Sequence, residues 1–340
     1  MTQQHTNAAS PHLTIELVNL CNLRCSYCVR DDDALHHSKA QYLAPELLRR
    51  LLAEARATMR LEWVSFTGGE ATLHPNFGEI LGVVAEAGLQ CSFITNGWHF
   101  DRVWPAVRQH QTTVRNVAFS LDGATTEAHD RWRGQGSFTR VIKAFAQCHF
   151  HGLPFIVKTV LRRDTVPQLE ALALLVARLG AAELHCMHFM PTDAQFAAEH
   201  ALTLAEQRRA EQEIALLGNV FKMPIGVDVG HYDLDPAPPC SVLRGQSANI
   251  NYRGQLTLCC NLSGFRHGAD EQDVIADLAH ESLAEAHPRL LDLAAQQVAR
   301  RQAALAARQD TPIDLATGSP CLFCLRSFGK LPWHNATTIL

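Results

Sequence analysis

The sequence carries little net charge and has no long apolar run. Its 340 residues have a formal net charge of −4, which gives no sign of the basic face that binds nucleic acid or an anionic membrane. Its apolar runs all fall short of the roughly 20 residues of a membrane span. The segment Met1–His12 lacks the basic start and apolar core of a secretory signal. These absences predict a cytoplasmic protein with no nucleic-acid or membrane partner.

Cysteine, in contrast, is abundant, with 11 residues in the chain. A reducing compartment disfavours disulfides, so clustered cysteines there more often hold metal or do redox chemistry. Eight of them fall into two groups, one near each end of the chain. The groups are Cys21, Cys25 and Cys28, and then Cys240, Cys259, Cys260, Cys321 and Cys324. The grouping predicts two metal-binding regions.

Short β-rich runs alternate with helical stretches between Leu13 and Met190. The predicted strands are Leu13–Val18, Trp63–Thr67, Cys91–Thr95, Val114–Ser120, Phe155–Leu161 and Glu183–His188. The predicted helices between them are Ala44–Ala57, Phe77–Ala87, Phe138–His151 and Val166–Leu179. Repeated strand-then-helix units imply a parallel sheet, and six units predict a partial (β/α)6 TIM-like barrel of the α/β class, because closure needs eight.

The proline-rich stretch at 236–239 predicts a domain boundary, since prolines lack a backbone donor and fix the backbone. We therefore expect a flexible tail over 1–12, a core over 13–235 and a small α+β domain over 236–340. The core includes a helix that starts with a capping box at Thr203 and Glu206. In the C-terminal domain we expect a hairpin at Gly254 and a long helix that is capped by Ser282.

The first cysteine group places three thiols within eight residues, Cys21-x3-Cys25-x2-Cys28. Thiolates are the usual ligands of iron–sulfur clusters. Three ligands leave one iron without a protein partner, and chemistry on a metal requires such an open position. The alternatives are incidental clustering or a zinc site with His36 or His37 as the fourth ligand.

This loop resembles the signature of the radical S-adenosylmethionine (SAM) superfamily, and Asn22, Leu23 and Tyr27 match that signature as well. The resemblance implies a [4Fe-4S] cluster whose open iron is chelated by the amine and carboxylate of SAM. It also implies reductive cleavage of SAM to a 5′-deoxyadenosyl radical, which takes a hydrogen atom from a substrate. An external reductant, such as a flavodoxin or ferredoxin, would supply the electron.

Two further motifs follow the second and third predicted strands. Gly68-Gly69-Glu70 resembles the superfamily motif for the methionine amine, and its carboxylate can pair with an ammonium. Its two glycines allow the backbone to approach a ligand closely. Asn96-Gly97 resembles the third-strand motif beside the cofactor. Taken alone, both motifs are also compatible with ordinary turns.

A longer match starts at the end of the fourth predicted strand. It consists of Ser120-Leu121-Asp122-Gly123, His129-Asp130, Arg133-Gly134 and Gly136-Ser137-Phe138. This pattern resembles the branch of the superfamily that carries auxiliary clusters. The resemblance implies that Ser120 and Arg133 lie near the methionine carboxylate, and a guanidinium can grip a carboxylate with two hydrogen bonds. The alternative is a turn at Asp122 and a surface arginine.

The second cysteine group resembles the twitch domain, the shorter relative of the SPASM domain. Cys240 and Cys259 flank a glycine, and Cys321-x2-Cys324 follows after a long gap. The resemblance implies one auxiliary [4Fe-4S] cluster that is fully ligated by these four thiolates. A four-cysteine zinc site has similar ligands and remains the alternative.

Two cysteines and one acid have no assigned role. Cys260 is an alternative ligand, a thiol hydrogen donor of the kind that some radical SAM epimerases use, or a small buried thiol. Cys186 is a second candidate donor. Glu16, in the first strand, either faces a substrate or is paired within the wall.

The resemblance implies an enzyme without naming its substrate. We expect a peptide that is crosslinked, epimerised or oxidised, because the Ser120–Phe138 pattern is commonest in peptide maturases. The alternative is a dehydrogenase or epimerase that acts on a sugar, cyclitol or other small metabolite. Two alternatives come from other classes. A non-catalytic iron–sulfur electron carrier would not need the Gly-Gly-Glu and Ser120 motifs, and a zinc-stabilised binding module would be a colourless protein.

Overall fold

The computed structural model describes residues 11–228, 234–238, 240–266, 272–307 and 314–334. The strands in these ranges are β1 His12–Glu16, β2 Trp63–Thr67, β3 Gln90–Thr95, β4 Val114–Ser120, β5 Phe155–Leu161, β6 Glu183–His188, β7 Ile225–Val227, β8 Ser247–Ile250, β9 Gln255–Thr257 and β10 Val274–Asp277. The α-helices are α1 Pro45–Met59, α2 Phe77–Glu86, α3 Phe100–Gln109, α4 Thr126–Arg133, α5 Ser137–Phe150, α6 Leu169–Arg178, α7 Ala194–His200, α8 Leu204–Val220, α9 Leu283–Ala306, α10 Leu315–Gly318 and α11 Pro320–Ser327.

All ten strands belong to one sheet, in the order β10-β9-β8-β1-β2-β3-β4-β5-β6-β7. Strands β1 to β7 run parallel to their neighbours and follow one another in chain order. Among the described strands the sheet ends at β7 and β10, so it does not close on itself. The predicted partial barrel of six strand-then-helix units is therefore confirmed.

The two faces of the sheet differ because successive side chains of a strand point to opposite sides. On the helix-covered face the side chains are apolar and fully buried, as Phe66 and Phe119 illustrate. Phe119 packs against Phe145 with the ring centroids 5.1 Å apart, and truncating such a core phenylalanine to alanine costs about 3–5 kcal/mol. The concave face is polar and half-exposed. There Ser120 lies beside Lys158, and Lys158 lies beside His185, in adjacent strands.

The predicted capping box at Thr203 and the predicted cap at Ser282 are both present. The Thr203 side chain accepts from the Glu206 amide at the start of α8, and Ser282 and Glu285 cap α9 in the same way. Each N-cap side chain stabilises its helix by about 1 kcal/mol. None of the helices in the described ranges is long and apolar enough to cross a membrane.

The C-terminal part of the chain extends the same sheet. Strand β8 pairs in parallel with β1, and β9 and β10 continue from it as antiparallel strands. The predicted hairpin is confirmed: Gly254 sits in its turn with φ +81°, a backbone conformation that favours glycine. The first ten residues of the predicted tail, and Pro239 of the predicted boundary, lie outside the described residues.

Candidate functional site

The first cysteine group lies in the loop after β1, with all three thiols partly buried. The Cys28 amide donates to the Cys25 carbonyl at 3.0 Å and so folds the loop back on itself. Burial raises the pKa of Cys21, and the nearby Glu70, Cys25 and Cys28 raise it further. Burial also raises the pKa of Cys25 to about 11, although Arg133 acts against it. The three thiols are therefore close neighbours, beside one carboxylate and one guanidinium.

The described residues hold no group of three or more Cys, His, Asp or Glu side chains that converges on a single metal ion. A four-iron cluster takes each thiolate on a separate iron, so it needs a wider arrangement than a single ion does. The imidazoles of His36 and His37, which were the alternative zinc ligands, lie 3.7 and 3.6 Å from the carboxylate of Asp32.

The two glycines after β2 bring that loop against the chain that leads into Cys21. The Gly69 amide donates to the Val18 carbonyl at 2.9 Å. A Cβ on Gly68 would lie 2.4 Å from the Val18 oxygen, and one on Gly69 would lie 2.1 Å from the Leu20 oxygen. Real Cβ atoms do not approach so closely. The sequence predicts that these glycines admit a ligand, whereas in the structure their close approach is to the protein's own backbone.

Glu70 is a buried carboxylate that is surrounded by neutral donors. It accepts from the hydroxyls of Thr72 at 2.5 Å and Thr95 at 2.7 Å, and from the Asn96 amide at 2.8 Å. Burial raises its pKa, and these hydrogen bonds oppose the shift. In the described part of the chain no cation pairs with it. A buried carboxylate next to Cys21 that lacks a cation fits a ligand with an ammonium group.

An asparagine pair joins the end of β3 to the cysteine loop. The Asn96 side chain donates to the Asn22 oxygen at 3.1 Å. The Asn22 side-chain nitrogen is buried and has no hydrogen-bond partner among the described residues. A buried donor without an acceptor fits a polar ligand at this position.

Asp122 binds the cysteine loop, α4 and β5 together. It accepts from the Tyr27 hydroxyl, from Arg133 Nε at 2.5 Å and from the Val160 amide at 3.0 Å. Burial alone would raise the pKa of Asp122, but the guanidinium groups of Arg133 and Arg162 outweigh it and hold the pKa well below its usual range. Arg133, which was expected at a ligand carboxylate, is thus already engaged through one nitrogen.

Arg162 is a functional candidate that sequence reasoning missed. It is fully buried, and its guanidinium lies 4.6 Å from the Tyr27 ring centroid and 4.1 Å from that of Trp132. Its Nε donates to Asp164 at 3.2 Å, while Nη1 and Nη2 have no hydrogen-bond partner among the described residues. The one sequence signal for Arg162 is its position immediately after β5, because functional residues gather at the C-terminal ends of parallel strands.

The structure brings the four predicted ligands of the second group together. Cys240 lies before β8, Cys259 follows β9, and Cys321 and Cys324 stand three residues apart on α11. Burial raises the pKa of Cys321, and Cys240 and Cys324 raise it further. A hydrogen bond with Cys260 raises the pKa of Cys259, and burial and the charge of Cys321 add to it.

Cys260 lies near two ion pairs. Glu16 pairs there with Arg30 at 3.1 Å, and Lys158 pairs with Asp228 at 2.8 Å. The charges of Arg30, Glu16 and Lys158 all act on the Cys260 thiol. Glu16 is thus paired with Arg30, and it also lines the smaller cavity described below.

Cys186 lies on the helix-covered face of the sheet. Its fully buried side chain packs with Leu161, Ala210 and Ile214 on the helix-covered side. The prediction that it could donate hydrogen to a substrate is wrong, because the strand alternation turns its thiol away from the concave face.

A cavity of about 360 Å³ opens beside the hairpin, lined by Asn251, Thr257, Asp273 and Lys330 among others. None of the predicted site residues lines it. A smaller cavity next to it reaches Glu16, Gly68 and Gly69.

Residues 15–176 match the family model of the radical SAM superfamily. The chain is 33% identical over 177 residues to the mycofactocin maturase MftC of Mycobacterium tuberculosis (strain ATCC 25618 / H37Rv), an alignment that covers 50% of this chain and 42% of the relative. The chain therefore spans less than half the length of that relative.

The fold resembles that of SuiB from Streptococcus suis. The S-adenosylmethionine complex of SuiB gives a TM-score of 0.68 at 14% identity and covers 83% of this chain and 68% of SuiB. The complex of SuiB with its precursor peptide SuiA gives a TM-score of 0.67 at 13% identity, with coverage of 92% and 70%. At these identities the likeness establishes the fold alone.

Proposed function

The chain belongs to the radical SAM superfamily through residues 15–176, and we propose that it is an enzyme that reductively cleaves S-adenosylmethionine. The observation that supports this most is Glu70, a buried carboxylate that has only neutral donors and lies beside the thiol of Cys21. A cluster on the three thiols of the first group and the ammonium of SAM on Glu70 would be adjacent.

We assign Cys21, Cys25 and Cys28 as ligands of the catalytic [4Fe-4S] cluster. Glu70 binds the methionine ammonium, and Asn22 and Asn96 offer polar groups beside it. Tyr27 and the Gly68-Gly69 turn form part of the SAM site, and Ser120 and the remaining N–H groups of Arg133 face the carboxylate. When bound, the cluster and SAM supply a 5′-deoxyadenosyl radical that removes a hydrogen atom from the substrate.

We further propose an auxiliary [4Fe-4S] cluster on Cys240, Cys259, Cys321 and Cys324, within a twitch-type domain over 236–340. The buried, mutually close thiols support it. Cys260 stands beside this site, and the charges of Arg30, Glu16 and Lys158 act on its thiol, so we propose it as a hydrogen donor to a substrate radical. Four-cysteine zinc binding is the alternative for the second group.

The substrate that we propose is a peptide. The relative MftC is named as a maturase of mycofactocin, and SuiB has been solved with a precursor peptide. Crosslinking, epimerisation and two-electron oxidation are the reactions open to this chemistry. A polar small metabolite is the second candidate, because Lys158, Asp228 and His185 place charged groups on the concave face. A flavodoxin or ferredoxin of the reducing cytoplasm would supply the electron.

The assignment of Glu70 is tested by the substitution Glu70→Gln in the anaerobically reconstituted protein. Removing one charge of a buried pair costs at least about 2 kcal/mol, so SAM should bind about 30-fold more weakly or worse. The control is Glu79→Gln, since Glu79 is exposed and contacts Asn76. Equal SAM affinity in wild type and Glu70→Gln, with equal iron content, would refute the assignment.

A further inference from the structure

Helix α9 buries one stripe of side chains over its 24 residues. The buried positions are Leu283, Ala286, Leu290, Ala294, Gln297 and Arg301. Their spacing of three or four residues keeps them on one face of the helix. The first four are apolar and the last two are polar. The buried face of the helix is therefore apolar in its N-terminal part and polar near its C-terminal end.

Gln297 is the more unusual of the two polar residues. It is only 1% exposed, and neither its amide nitrogen nor its amide oxygen has a hydrogen-bond partner among the described residues. Leaving a buried polar group unpaired costs about 1–3 kcal/mol. An unpaired buried group in a folded protein calls for an explanation, and a bound group next to it is one.

Gln297 lies near Cys324. The thiol of Cys324 interacts with the Gln297 amide and with the Arg301 guanidinium, both of which act against the larger effect of burial on its pKa. Arg301 also donates to the Asp235 carbonyl at 2.9 Å, which holds its side chain in place. A protonated thiol is a weak acceptor. A metal-bound thiolate carries negative charge and is a much better acceptor for an amide N–H.

We propose that Gln297 donates an N–H···S hydrogen bond to the Cys324 sulfur of the auxiliary cluster, and that Gln297 and Arg301 together set the reduction potential of that cluster. The inference rests on the auxiliary cluster of the proposed function. Hydrogen bonds to cluster sulfurs and nearby positive charge both stabilise the reduced state, which is the more negative one. In this proposal the long helix between Cys259 and Cys321 carries two side chains that lie beside the cluster.

The test compares Gln297→Leu with Gln296→Leu. Both changes remove the same amide, but Gln296 is exposed on the same helix. Both are made in the full chain in which Cys21, Cys25 and Cys28 are replaced by alanine, so that the second cysteine group alone can bind iron. The protein is reconstituted anaerobically, its iron and sulfide are counted, and the midpoint potential is measured by redox titration with electron paramagnetic resonance detection.

We expect about four irons per chain in both variants, and a more negative midpoint in Gln297→Leu only. In the chain with both cysteine groups intact, the potential of the SAM-responsive cluster should not move. Equal potentials in the two variants at equal iron content would overturn the inference and leave the auxiliary cluster standing. Absence of iron from the triple-alanine chain would overturn the auxiliary cluster itself and the inference with it.

A second pair of variants decides the matter if Gln297→Leu does not retain iron. Arg301→Met removes the charge, and Arg301→Lys keeps it. A more negative midpoint in Arg301→Met, with Arg301→Lys close to the parent protein, supports the proposal. The same potential in all three proteins contradicts it.

Discussion

The hydroxyl of Tyr27 donates a hydrogen bond to the carboxylate of Asp122, across 95 residues of sequence. Tyr27 lies between the second and third thiols of the cysteine loop, and Asp122 lies just after β4. This bond ties the loop to the barrel, because Asp122 is itself held by the Val160 amide of β5 at 3.0 Å. The position of the first cysteine group thus depends on strands β4 and β5, which lie several strands away from β1 in the sheet.

Replacing Tyr27 with phenylalanine tests that dependence. The ring remains, but Asp122 loses a donor, and a hydrogen bond to a charged group contributes about 1.5–3 kcal/mol. We expect the free energy of unfolding of the metal-free protein, measured with urea, to fall by that amount. Tyr42→Phe is the control, since Tyr42 is 40% exposed. Equal losses in the two variants would show that the bond does not hold the loop.

The glycine after β2 is a second test of how the site is assembled. A Cβ at residue 69 would collide with the Leu20 carbonyl at 2.1 Å, so Gly69→Ala must push the chain that leads into Cys21 out of place. We expect reconstituted Gly69→Ala to retain markedly less iron than wild type. Gly226→Ala provides the comparison, because a Cβ there meets nothing within 4 Å. Full iron content in Gly69→Ala would contradict the close packing.

The pH dependence of stability follows in part from His129. Burial lowers the pKa of His129 to about 4, and the charge of Arg133 contributes to the shift. The pKa of a histidine in an unfolded chain is about 6.5. Between these values the unfolded chain binds a proton that the folded chain does not, so stability falls as the pH drops from about 6.5 toward 4. Urea unfolding at several pH values should show this loss in wild type. In His129→Asn the free energy of unfolding should fall less between about pH 6 and about pH 5 than it does in wild type. An unchanged slope would contradict the assignment.

Substitutions of Cys260 and Cys186 distinguish the hydrogen-donor role from iron ligation. Because four other thiols ligate the auxiliary cluster in the proposed function, Cys260→Ser should keep about eight irons per chain, as two four-iron clusters require. It should still form 5′-deoxyadenosine but fail to complete a reaction that ends in hydrogen return to the substrate. Cys186→Ala should behave like wild type in both assays. Loss of about four irons in Cys260→Ser would instead make Cys260 a ligand.

The regular parts of the fold could be predicted from the sequence because their signals are local. Strands β2, β4, β5 and β6 have the bounds that their β-rich runs predict. Helix α3 has no such signal, since Pro105 stands inside it and proline normally argues against a helix interior. Strand β10 is four residues long and depends on its partner β9.

The non-local parts of the candidate site could not be predicted. The cysteine spacing and the Gly-Gly-Glu motif are local patterns, and the structure brings both together. The bond between Arg133 and Asp122, the burial of Arg162 and the parallel pairing of β8 with β1 depend on packing between distant segments. The side that a strand residue faces also depends on the register of the sheet. For this reason Cys186 was a plausible candidate in the sequence and is turned away in the fold.

We propose that the chain binds two iron–sulfur clusters and cleaves SAM. The most direct measurement is anaerobic reconstitution with iron and sulfide, a count of both per chain, and an assay of 5′-deoxyadenosine after addition of dithionite and SAM. We expect about eight irons per chain and formation of 5′-deoxyadenosine that is lost in Glu70→Gln. Zinc in place of iron, or a fully loaded protein that forms no 5′-deoxyadenosine with candidate peptide and small-molecule substrates present, would contradict it.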